Sequence, residues 1–228
     1  MGAFKGVIFD FDGTLYSQKL FPFYCVLRSP ADASRMQAER FVRKALKGRE
    51  WDSAAAMEKE FADRMAGFSG ARAEDLGRWR VEEFPRIMAD VLRARCSARD
   101  GAGELLLSLS GAGIKTAVLS DYGLVDVRMD AIGLGGEVLS SLSGIFSSQD
   151  FACLKPSPRA FLKTAETMQV PPSECLVVGD RDDTDGEGAR KCGMGFVLIA
   201  GRKACAGGRN TSAMIWKDFV TWAYGNLI

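Results

Sequence analysis

A chain of 228 residues with 47% apolar and 26% charged side chains can build one sizeable domain with an appendage, and it is too ordinary in composition to be disordered or collagen-like. Thirty basic against 29 acidic residues argue against a general nucleic-acid or membrane-surface binder. Histidine is absent, which excludes Ser-His-Asp and Cys-His catalysis and HExxH zinc sites, and leaves acid–base work to carboxylates, Lys, Tyr or Cys.

In chain order, short β-branched runs end abruptly at polar turns. Residues 6–9 run into Asp10, 115–119 into Ser120, 175–178 into Gly179, and 196–199 into Ala200; a further run covers 144–146. Such runs read as strands buried on both faces, as in a parallel sheet. Helical periods lie between them at 104–109, 125–132, 158–168 and 186–192, with a last amphipathic helix expected over 214–224. Strand and helix in alternation predict a doubly wound, mostly parallel Rossmann-like α/β sheet in three layers.

Residues 16–97 break that rhythm. They carry no β-branched run and read as helical over 33–46, 53–65 and 76–94. The expected organisation is a core of residues 1–15 and 98–228 with an all-helical cap of 16–97 inserted after the first strand. The inserted block holds 16 basic and 12 acidic residues. A mildly basic lid suits an anionic substrate held over a metal, and a solvated helix face explains the same count.

No stretch approaches 18 uncharged apolar residues, so no transmembrane helix is expected, and Asp10 and Asp12 interrupt any N-terminal apolar region of a secretory signal. The six cysteines are scattered without a CxxC pair, and they read as reduced thiols in a cytoplasmic protein.

Ligands of open α/β sheets bind beyond the carboxyl ends of the strands. There the sequence sets Asp10-Phe-Asp12-Gly-Thr14, Ser120-Asp121, Lys155-Pro156, and Gly179-Asp180 with Asp182, Asp183 and Asp185 following. Taken singly, each has an ordinary structural reading: a turn, a helix cap, a solvated lysine, first-turn carboxylates. Taken together at successive strand ends, they assemble carboxylates, a hydroxyl and an amine on one edge. Crowded carboxylates without histidine call for a hard divalent cation, most simply Mg²⁺, and a nearby lysine suits a phosphoryl group.

This constellation resembles the haloacid dehalogenase superfamily of Asp-based phosphohydrolases, with four motifs in order. Asp10-Phe-Asp-Gly-Thr14 is similar to the first motif, Ser120 to the second (with Asp121 where Asn is usual), Lys155 to the third, and Gly179-Asp180 with Asp185 to the fourth. The helical insertion resembles a type-one cap, as in the phosphoglycolate-phosphatase-like and β-phosphoglucomutase-like branches.

The resemblance implies that Asp10 is the nucleophile and forms an aspartyl-phosphate, while Asp12 is the general acid and base. Mg²⁺ would take Asp10, the Asp12 carbonyl and Asp180, and Asp185 would orient a metal-bound water. Ser120 and Lys155 would hold the phosphoryl oxygens. The type-one cap implies a specificity loop near residues 46–50, where Lys47 and Arg49 either touch the far end of the substrate or are ordinary exposed corner residues. The implied activity is Mg²⁺-dependent hydrolysis of a small soluble phosphate monoester, by a monomer or homodimer with no nucleic-acid or membrane partner. Alternatives are a phosphosugar mutase of the same fold and a catalytically silent phospho-ligand-binding protein.

Two Cys-x5-Arg spacings, Cys153…Arg159 and Cys175…Arg181, do not make a Cys-based phosphatase loop. Pro156 and Pro158 remove N–H donors from the first, and Cys175 opens a buried strand.

Overall fold

The computed structural model describes residues 4–200 and 211–228. Among the described residues six strands form one sheet: β1 (Gly6–Asp10), β2 (Lys115–Ser120), β3 (Gly144–Ser147), β4 (Cys175–Gly179), β5 (Gly195–Ile199) and β6 (Thr211–Met214). Their spatial order is β3-β2-β1-β4-β5-β6, and all neighbouring pairs are parallel. β1 is therefore central, with Asp10 in register with Leu119 of β2 and Phe9 with Val178 of β4. That register brings the ends of β1, β2 and β4 to one edge.

The strands are apolar on both faces because helices cover both faces. Val7, Phe9, Val118 and Val178 belong to one buried cluster, with Leu105 and Phe219 of the helices Ala102–Gly111 and Trp216–Asn226. Ile8, Ala117, Leu119 and Val177 point the other way, into a second cluster with Ala160, Phe161 and Ala165 of the helix Pro158–Met168. Cys175 is buried at the start of β4.

Between β1 and β2 the chain is helical: α1 (Phe21–Arg28), α2 (Ala33–Ala45), α3 (Ala54–Ser69), α4 (Ala73–Arg78) and α5 (Phe84–Arg95). The chain leaves and re-enters side by side, through an antiparallel bridge between Tyr16 and Ala98 and a 2.8 Å bond from Arg99 N to Leu15 O. The single helix expected over 76–94 is instead α4 and α5 joined by a π-helical turn, Trp79–Glu83. Pro85 has no N–H to return to the preceding turn, and Phe84 N bonds five residues back to Trp79 O.

α6 (Ala102–Gly111) leads into β2, and beyond β2 follow α7 (Val125–Ala131), α8 (Glu137–Ser141), α9 (Pro158–Met168), α10 (Glu187–Lys191) and α11 (Trp216–Asn226). α11 starts two residues after the expected position because Met214 belongs to β6. That strand lacks an apolar run, and its pairing with β5 comes from the backbone.

Phe161 is fully buried between α9 and the sheet. Phe161→Ala is expected to cost about 3–5 kcal/mol of stability. Urea unfolding should show a lowered midpoint with an unchanged slope.

Candidate active site

The end of β1 carries Asp10, only 7% exposed. Its Oδ2 accepts a 2.7 Å bond from Thr14 Oγ1, four residues on in the turn, and its Oδ1 accepts a 2.7 Å bond from Lys155 Nζ. The same ammonium donates to Asp185 Oδ1 at 2.8 Å. Lys155 is thus a buried cation between two buried carboxylates, and Asp10 and Asp185 hold its ammonium strongly charged against the cost of burial.

Two glycines make the crowding sterically feasible. Gly13 has φ +93°, and a Cβ there would lie 2.1 Å from Asp180 Oδ2. A Cβ on Gly179 would lie 2.5 Å from the Asp185 side chain. Asp180 and Asp185 therefore press against backbone where only hydrogen fits.

Asp10, Asp180 and Asp185 each offer an oxygen, all within 4.8 Å of one another. Burial raises the Asp10 carboxyl well above its ordinary range, and Asp185, Asp180 and Asp12 push it further against the pull of Lys155. Burial and Asp185 likewise raise Asp180 to about 6. Three crowded carboxylates thus share mainly one lysine, with Arg181 a lesser counter-charge at Asp180. An all-oxygen donor set with surplus negative charge fits a hard divalent cation such as Mg²⁺.

Asp12 does not join that group. Its Oδ1 accepts from Tyr16 Oη at 2.8 Å and its Oδ2 from Ser120 Oγ at 2.6 Å. Arg128 Nη1 bridges both carboxylate oxygens at 2.8 and 3.0 Å. Burial opposes the charge on Asp12, but Arg128 and the two hydroxyls outweigh it and hold the carboxyl below its ordinary value.

Arg128 is completely buried, and all of its donors are used. Nε bonds Gly123 O at 3.0 Å, Nη2 bonds Ser120 Oγ at 2.7 Å and Tyr122 O at 2.8 Å, and the guanidinium lies 4.9 Å from the Phe11 ring centre. Sequence reasoning missed it. The signal was an arginine on the inward stripe of α7 beside Val125 and Met129, where a charge needs a buried anion.

Ser120 stands at the end of β2 as expected, but it is fully buried and its hydroxyl is already engaged. It donates to Asp12 and accepts from Arg128 and from Tyr122 N at 3.1 Å. It reaches a phosphoryl oxygen only by giving up its bond to Asp12. Asp121 also has a clear place: its Oδ1 accepts from Ser148 Oγ at 2.5 Å and Lys155 N at 3.1 Å, tying the lysine segment to the β2 edge.

The loop after α2 meets that lysine segment. Gly48 N donates to Lys155 O at 3.2 Å, Leu154 N to Arg49 O at 3.0 Å, and Trp51 N to Ala152 O at 2.9 Å. Lys47 lines the cavity, with Nζ 2.5 Å from Asp183 Oδ2. Lys47 and Arg181 together hold Asp183 down at about 2. Arg49 is not in the cavity wall: it pairs with Glu60 at 2.9 Å and lies 5.7 Å from the Trp51 ring centre.

Residues 4–193 match the family model of haloacid dehalogenase-like hydrolases. The chain is 30% identical over 102 residues to the mouse haloacid dehalogenase-like hydrolase domain-containing protein 3, covering 45% of this chain and 39% of that protein. The chain spans at most 39% of the length of the curated relatives it matches. Among solved structures, a phosphatase of the family from Thermococcus onnurineus is 22% identical with a TM-score of 0.58, over 98% of this chain and 100% of that one. A dehalogenase in an intermediate complex is 19% identical with a TM-score of 0.61, over 98% of both chains. These likenesses establish the fold. The sequence match runs from before Asp10 to beyond Asp185 and takes in the ends of β1, β2, β3 and β4, so the chain belongs to the haloacid dehalogenase-like hydrolases.

Proposed function

We propose that this hydrolase cleaves phosphate monoesters of small metabolites through an aspartyl-phosphate on Asp10, with residues 16–97 acting as a cap over the site. The observation that carries the reading is the division of the carboxylates into two electrostatic settings: Asp10, Asp180 and Asp185 around Lys155, and Asp12 against Arg128. Carboxylates with different environments take different roles in one reaction.

Asp10, the Asp12 carbonyl and Asp180 would hold a divalent cation, with Asp185 behind them. When bound, the cation neutralises negative charge between nucleophile and phosphoryl group. Lys155 orients Asp10 and screens it from the incoming anion. Asp10 forms a bond to phosphorus as the ester oxygen leaves, and that oxygen takes a proton from Asp12. Water then attacks the same phosphorus, returns a proton to Asp12, and frees Asp10 and inorganic phosphate. Asp12 takes the proton for the first step from solvent as the anionic substrate enters and weighs against Arg128. Phosphoester rather than carbon–halogen chemistry is favoured because Asp12 is present, a position that carbon–halogen-cleaving members lack.

Arg128, Tyr16 and Ser120 are positioning residues in this scheme, since they act through Asp12. A small-molecule substrate suits a cavity of about 620 Å³. No described helix is long and apolar enough to cross a membrane. Cys25, Cys96, Cys153, Cys175 and Cys192 are free thiols, in keeping with a reducing compartment such as the cytoplasm.

Three outcomes test this reading. Asp10→Asn should abolish phosphate release from an aryl phosphate while the circular dichroism spectrum is retained; full turnover would overturn the nucleophile assignment. A chelator should remove the wild-type activity, and added Mg²⁺ should restore it. Arg128→Met leaves Asp12 buried without its partner and should lower unfolding free energy by about 3–5 kcal/mol. Adding Asp12→Asn to that variant should recover part of the loss, as a double-mutant cycle would read.

A further inference from the structure

The cavity over the carboxylates measures about 620 Å³, several times the room a phosphoryl group needs. One wall is α2 and the loop after it. Gln37, Arg40, Lys44 and Lys47 line it, at spacings of three, four and three residues, which puts them on one stripe. Lys47 marks the floor end, because it reaches Asp183 while the adjacent Gly48 bonds Lys155. With a rise of about 1.5 Å per residue, Lys44 and Arg40 stand roughly 4.5 and 10 Å up the wall from Lys47.

The cations of this wall differ in how they are satisfied. Lys47 is paired with Asp183. Arg43 is paired with Glu39 and also donates to Asp121 O at 2.7 Å. Glu39 is in turn shared with Arg80. Arg40 and Lys44 have no hydrogen-bond or ion-pair partner among the described residues. Apolar groups of α1 and α5, among them Phe21, Val26, Phe84 and Met88, line the same cavity. Two unpaired cations on a concave wall beside apolar surface are complementary to an anion.

We infer that the substrate is a phosphate monoester carrying a second anionic group, a phosphate or a carboxylate, which seats on Arg40 and Lys44 while the scissile phosphoryl group meets Asp10. This rests on the phosphatase reading and names its substrate class. Lys44 and Arg40 lie roughly one and two helical turns from Lys47, the residue that reaches Asp183 on the floor, so a spacer of several atoms separates the two anionic ends. Lys47 and Arg43, already neutralised by Asp183 and Glu39, shape the wall without offering a free charge.

The experiment compares pentyl phosphate, pentane-1,5-diyl bisphosphate and 6-phosphooxyhexanoate, with an aryl phosphate as reference. It measures kcat/KM for the wild type, the Arg40→Gln/Lys44→Gln double variant, and Lys59→Gln as a control on the outer face of α3, where Lys59 pairs only with Asp63. The same ligands are titrated calorimetrically into the Asp10→Asn variant, with and without the double substitution.

The expected result is a preference of about tenfold or more in kcat/KM for the two doubly anionic esters over pentyl phosphate. It should be carried by KM, weaken as salt is added, vanish in the double variant and persist in the control. The two anionic tails then distinguish phosphate from carboxylate. Turnover of the aryl phosphate with no preference for an anionic tail would overturn the inference and leave the phosphatase reading standing. Absence of turnover with a calorimetric tail preference that needs Arg40 and Lys44 would uphold the anion subsite and overturn the phosphatase reading. Neither turnover nor preference would overturn both.

Discussion

A single buried ammonium, Lys155 Nζ, sits between Asp10 and Asp185 at the edge of the sheet, and much of the site is arranged around it. Parallel strands that end together bring their terminal carboxylates together, and in a dry environment like charges cannot all remain ionised. The lysine relieves part of that repulsion without removing it, because Asp180 lies within the same group. Its own placement is strongly determined. Asp121 accepts from its backbone N–H, Gly48 donates to its carbonyl, and the helix α9 begins three residues later. A long flexible side chain is thereby held by its backbone at both sides.

The fourth carboxylate avoids the conflict by having its own counter-charge. Asp12 is two residues from Asp10, yet it faces Arg128, Tyr16 and Ser120. The buried Arg128–Asp12 pair bears the desolvation of both ions because every guanidinium N–H finds an acceptor, from the carboxylate, from Ser120 or from the backbone of residues 122 and 123. Breaking either partner would leave an uncompensated buried charge, so this pair links stability to the chemistry proposed for Asp12.

The inserted helices touch the same chain segments. Residues 48–51 run antiparallel to 152–155, and Glu50 bonds both Ser157 Oγ, at 2.5 Å, and Arg159 Nη2, at 2.8 Å. The segment that carries Lys155 thus serves the sheet edge on one side and the helical insertion on the other. The cavity is the space left between them, acidic at the floor and basic along α2.

Much of this was legible in the chain itself. Five of the six strands announce themselves as β-branched runs because parallel strands are buried on both faces, and the residues that follow them fall on one edge because ligands sit at carboxyl ends. Asp10, Lys155, Asp180 and Asp185 stand out for that reason, and the structure brings their charged ends together. β6 has no such signature, since Ser212 and Ala213 carry no bulk and its order comes from pairing with β5. The π turn before Pro85 was equally hidden, since helical periodicity does not record where a hydrogen-bond ladder slips. Tertiary structure alone decided which way each polar side chain points: Arg49 away to Glu60, Ser120 toward Asp12, Arg128 inward. Strand ends are determined by local pattern, whereas the partner of a buried charge is chosen by whatever distant residue the fold brings within hydrogen-bond reach, and residues 12 and 128 meet across a separation of 116 positions.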